Sequence, residues 1–114
     1  MKYENAVEVF LDRLPELNKV IESDERDLPQ VALGSFAQNF SNKICNSLNS
    51  EFVTDSIALL NEMSNTRDKK IQMLLMTGVL EVILDNKIAF DALRAQANQS
   101  LLQMMIKVEK FWRG

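Results

Sequence analysis

Apolar residues recur along this chain with a helical period. Tyr3, Val7, Phe10 and Leu14 form one stripe, with Ala6 beside it, and Pro15 then breaks or restarts the helix. Leu17, Val20 and Ile21 make a short second amphipathic turn. The segment ESDERDLPQ, residues 22–30, is polar, charged and contains Pro29, so it reads as a loop. Asp27 is placed to cap the next helix, with Pro29 in its first turn, where a backbone N–H has no helical partner to lose.

The stripe resumes at Phe36, Phe40, Ile44 and Leu48, widened by Ala37. LNSEF is a break in which Asn49 or Ser50 can cap, and Phe52, Val53, Ile57, Leu60 and Met63 continue the pattern. MSNTRD ends that helix and starts another, with Asn65 or Thr66 as its cap and Ile71, Leu74, Leu75, Val79, Val82 and Ile83 as its buried face. Gly78 lies inside it, where glycine costs up to about 1 kcal/mol relative to alanine. A close approach of two helices is the purpose that fits. LDNK is a turn, a short helix runs through Phe90 and Leu93, and a last helix aligns Leu101, Met105, Val108 and Trp112, flanked by Leu102 and Phe111. No period-two strand flanked by hairpin turns interrupts the series. The predicted fold is all-α: a compact single domain over residues 1–114, built as an array of six or seven helices.

Composition agrees, with 46 % apolar and 25 % charged residues in 114. The first residues lack the apolar core of a signal peptide, and the longest apolar runs, such as MLLM, are far too short to span a bilayer. A cytoplasmic protein is expected. The single Cys45 sits beside Ile44 in an apolar stretch and is expected to be a small core hydrophobe. There is no histidine, which removes the commonest general base and metal ligand. The acidic ESDERD stretch lacks the glycine turn and terminal glutamate of a calcium loop. ALGSF has neither the preceding strand nor the lysine of a phosphate-binding turn, so it reads as a loop leading into a helix. Neither catalytic residues nor a metal or cofactor are expected, and the chain reads as a non-enzyme.

Charge is the feature that points outward. The net charge is −3, but residues 1–65 carry −6 and the remainder +3. Glu4, Glu8 and Asp12 stack four apart into a negative column, at a cost of roughly 0.2–0.5 kcal/mol per like-charged pair. Glu51, Asp55 and Glu62 share a face of a later helix, and Asp24, Glu25 and Asp27 form an acidic loop. Any one of these reads as an ordinary solvated position, and Glu16 and Glu51 suit helix N-termini. As a set they are poorly offset by basic residues and are expected to bind a strongly positive protein partner. Arg67, Lys69 and Lys70, or Lys107, Lys110 and Arg113, are the basic clusters that could meet nucleic acid, against the acidity of the whole chain. An alternative reading is a helical adaptor that takes a partner helix or peptide in an apolar groove lined by Met73, Met76, Met104 and Met105, although core packing is the plainer use of those methionines.

Three stretches carry a family resemblance: DLPQVALGSFAQNF, NTRDKKIQMLLMTGVLEVI and the terminal VEKFWRG. Together they resemble a bacterial family of small all-helical proteins, some of which are similar to immunity proteins of contact-dependent growth inhibition and related polymorphic toxin systems. The resemblance covers residues 27–114 and rests on fold determinants. It implies a cytoplasmic antidote that binds a cognate toxin domain, a ribonuclease, and occludes its active site. The partner-facing residues expected here rest on charge alone.

Overall fold

Proline and short polar side chains decide where the helices of this chain begin and end. The computed structural model describes residues 1–47 and 49–113; Leu48, Gly114 and the Arg113 side chain, all part of sequence patterns above, lie outside the described residues. A 3₁₀ turn at Tyr3–Asn5 leads into α1 (Ala6–Arg13), which buries Ala6, Val7 and Phe10. Pro15 ends it and opens a 3₁₀ turn, Pro15–Lys19, that buries Leu17. Part of the expected acidic loop is a further 3₁₀ turn at Ser23–Glu25.

In α2 (Pro29–Asn46) the proline stands in the first turn, as its chemistry favours. Asp27 does not cap this helix. The cap position falls one residue later, on Leu28, whose side chain offers no acceptor. Ser50 does cap α3 (Glu51–Ser64), accepting the Val53 N–H at 3.2 Å. The cap of α4 (Lys69–Met73) is neither Asn65 nor Thr66 but Asp68, whose Oδ1 accepts the Lys70 N–H at 2.8 Å. Thr66 acts one step earlier, with its Oγ1 accepting the Asp68 N–H at 3.1 Å.

A seven-residue π segment, Leu74–Leu80, continues α4 without a break into α5 (Glu81–Leu84), so that the three pieces form one rod. Asn86 caps α6 (Lys87–Arg94) by accepting the Ala89 N–H, and Asn98 closes the first turn of α7 (Gln99–Arg113) by accepting the Leu101 N–H. With the rod counted once, six helices make an all-α domain, and no strand occurs among the described residues.

The core is centred on α2. The Phe36 ring meets Phe10 edge-on at 5.0 Å between centroids and lies 5.8 Å from Phe40 and 6.3 Å from Phe52, so α1, α2 and α3 share one aromatic cluster. The other side of α2 lies against the rod. There Gly34 and Gly78 face each other: a Cβ built on Gly34 would stand 3.9 Å from the Gly78 carbonyl oxygen, and one on Gly78 would stand 3.8 Å from the Gln30 carbonyl oxygen. Gly34 and Ser35 therefore lie inside α2 and do not form a loop leading into it. The fold is tight, with a radius of gyration of 12.8 Å against about 13 Å for a chain this long.

The π segment changes which residues face inward. A strict α period would bury Val82 with Ile83; the wider turn adds a residue, and Ile83 and Leu84 are buried while Val82 is left half-exposed. Thr77, in the middle of the segment, donates from Oγ1 to the Met73 carbonyl at 2.7 Å and accepts from the Gln30 amide at 2.6 Å. The register shift leaves Val82 half-buried at the edge of the core, between α2 and α7.

Candidate functional site

Two surfaces offer themselves, one acidic and one aromatic. The acidic one is built from α1, the Pro15 turn and α3. Glu8 and Asp12 stand on the outer face of α1, and Glu4 is exposed on the preceding 3₁₀ turn, so the expected column is split between two kinds of helix. Glu51 and Asp55, on the first turns of α3, join Arg13 and Glu16 around a cleft of about 290 Å³. The Arg13 guanidinium also donates to the Glu62 carboxylate, which ties the end of α1 to the last turn of α3.

The nine expected partner-binding carboxylates thus separate into two kinds. Glu62 is held by Arg13, and Glu25, half-buried, accepts a hydrogen bond from Ser35 Oγ at 2.9 Å that fixes the acidic turn to α2. The remaining seven, Glu4, Glu8, Asp12, Asp24, Asp27, Glu51 and Asp55, are exposed and make no hydrogen bond or ion pair among the described residues. Asp24 and Asp27 line neither the Glu51–Asp55 cleft nor the one beside Glu62, so the loop is a separate acidic patch. Glu16, outside the expected set, belongs to the cleft but is neutralised: Lys43 lies 3.4 Å away and Asn39 donates to it at 3.2 Å. No three carboxylates or cysteines among the described residues are grouped to hold a metal ion.

The second surface was hidden in the sequence by the periodicity of α7. Leu101, Met105 and Val108 are buried as expected, but Trp112, which continues their face, is 59 % exposed, and Phe111 beside it 79 %. The apolar seam of α7 outruns the body it packs on. The two rings meet edge-on at 5.6 Å. Trp112 lines a cleft of about 530 Å³ whose other walls include Thr77, Glu81, Val82, Leu84 and Asp85. Across the Val82–Asp85 ridge lies a second cleft, about 290 Å³, lined by Gln38, Ser41, Asn42 and Asn86.

Two other expectations change. Cys45 is exposed, because Ile44 takes the inward position on the last turn of α2 and the next residue points about 100° away. The methionines do not form one groove: Met105 is core, Met76 and Met104 are half-buried, and Met73 is exposed beside Lys69 and Lys70. Lys70 itself lies over the Tyr3 ring, its Nζ 5.9 Å from the centroid. Among the described residues no helix is long and apolar enough to cross a membrane.

Among known proteins, residues 7–113 match the family model described as "Domain of unknown function (DUF7674)". The match includes Glu8 and Asp12 and begins after Glu4. No curated protein and no solved structure matches.

Proposed function

We propose that this chain, which belongs to the DUF7674 family, is a cytoplasmic antidote: a binding protein without turnover of its own that covers the basic active site of a cognate toxin domain, a ribonuclease. The observation that carries the reading is the set of seven exposed carboxylates left without an intramolecular partner among the described residues. Carboxylates in that state make no pairwise contact that stabilises the fold, although Glu8 and Glu51 suit the first turns of α1 and α3. Glu8 and Asp12 repel each other across one turn, and their field extends into solvent at about a Debye length of 8 Å at physiological salt. Such a field accelerates encounter with a positive protein and imitates a phosphate backbone, which a nuclease must meet with lysines and arginines.

A second reading, a helical adaptor for a partner peptide, is favoured by one observation of its own. Phe111 and Trp112 are exposed beside a cleft instead of being packed. Adaptor binding through rings alone is insensitive to salt, whereas charge masking is not.

The test is co-expression with a basic ribonuclease toxin domain found encoded next to this chain's gene. Growth should be restored, and a stable complex should co-purify in which the nuclease is silent. A toxin domain that stays active with this chain in excess contradicts the antidote reading.

A further inference from the structure

We propose that the paired clefts on either side of the Val82–Asp85 ridge bind an extended, arginine- or lysine-bearing segment of a partner protein. The inference deepens the reading above and rests on it only in taking the partner to be basic. The acidic α1–α3 face attracts; this opposite set of groups holds.

Three independent features converge there. On one side of the ridge, the Glu81 and Asp85 carboxylates make no ion pair or hydrogen bond among the described residues, and Trp112 lines the same cleft. A cleft that joins an aromatic ring with two unpaired carboxylates is an environment a guanidinium or ammonium group prefers, since ring quadrupole and carboxylate charge act together. On the other side, Gln38 and Asn42 present side-chain amides that are unpaired among the described residues, and amides match the alternating donors and acceptors of a peptide backbone.

Ser41 supplies the second sign of a ligand. It is 5 % exposed, it lines that cleft, and its hydroxyl is buried with no hydrogen-bond partner among the described residues. Buried hydroxyls are satisfied in folded proteins far more often than not. A donor or acceptor delivered by a bound chain completes it.

The third feature is the π segment that walls the first cleft through Thr77. Val82, just after that wide turn, is half-buried against the core and, with Asp85, lines both clefts. A π turn is unfavourable without a return, and such turns collect at functional sites. Phosphate-bearing ligands are disfavoured by Glu81 and Asp85, which excludes a nucleic acid from the same surface.

The test uses ¹⁵N-labelled full-length protein and a capped octapeptide of alternating arginine and serine at roughly millimolar concentration. The control peptide carries glutamate for arginine, and an oligothymidine is run beside it. The Trp112 indole N–H and the amides of Ser41, Asn42 and Asp85 should shift with the arginine peptide alone. Trp112→Ala, at an exposed position, should leave the circular dichroism unchanged and weaken binding about five- to tenfold; Asp85→Lys should weaken it further. No shift anywhere, unchanged affinity in Trp112→Ala, or shifts with oligothymidine only would each overturn the proposal. Shifts confined to Glu8, Asp12, Glu51 and Asp55 would overturn it while leaving the charge-masking reading standing.

Discussion

Replacing Asn61 by alanine should cost this domain about 2 kcal/mol, although Asn61 is neither core nor cap. Its side chain ties α3 to the α6–α7 connection. Oδ1 accepts the Asn98 N–H at 2.8 Å, and Nδ2 donates to the Gln96 carbonyl at 3.3 Å. The Asn61 carbonyl accepts twice more, from Ser64 Oγ at 2.7 Å and Asn98 Nδ2 at 3.2 Å. Alanine removes the first two bonds and keeps the second two. Each lost bond is worth about 0.5–1.5 kcal/mol net. Asn98 is half-buried, so water recovers part of the desolvation that a sealed donor would forfeit. The sum is about 2 kcal/mol, or a fall in melting temperature of about 8 °C at this chain length. Asn61→Asp keeps the acceptor for Asn98 and loses only the donor to Gln96, so it should cost about half as much. Urea denaturation followed by circular dichroism measures both. A loss under about 0.5 kcal/mol for alanine, or an aspartate variant worse than alanine, would refute the latch.

Phe40→Ala and Leu75→Ala remove side chains with no exposed surface and should each cost about 2–5 kcal/mol by chemical denaturation; near-zero loss at either would contradict the core as drawn. Gly34→Ala meets only the Gly78 carbonyl oxygen, at van der Waals distance, and should stabilise α2 by about 0.5–1 kcal/mol, whereas Gly78→Leu should destabilise. A thermal melt of each settles the order. Cys45 should react stoichiometrically with a thiol reagent in the folded protein, at a rate close to that in denaturant, because it is exposed; a thiol that reacts only after unfolding would contradict its placement.

Most of the helical order was legible because apolar spacing reports directly on the face a helix buries. Phe10, Phe36, Phe40, Leu60, Leu75, Phe90 and Leu101 all lie where their period put them. What escaped did so for local reasons. Asp27 and Thr66 have the chemistry of a cap but stand one or two residues from the position where the backbone turns helical. Val82 follows a π segment, and no window tuned to a period of 3.6 can register an added residue. Trp112 and Cys45 sit where a stripe runs on past its neighbour or beside it, and spacing is blind to where the neighbour ends. The carboxylates were legible as a charge excess, but their division into engaged and free ones was not. Arg13 and Ser35 reach Glu62 and Glu25 across sequence separations of 49 and 10 residues. The Asn61–Asn98 latch, at a separation of 37, left no trace in local pattern at all.

The most direct test of charge masking is the association rate with the basic toxin domain, followed by stopped flow across ionic strength. The wild-type rate should fall at least about tenfold between low and high salt, and Glu8→Lys with Asp12→Lys should start slower and respond less steeply. Rates that are the same at every salt concentration for both proteins would contradict it.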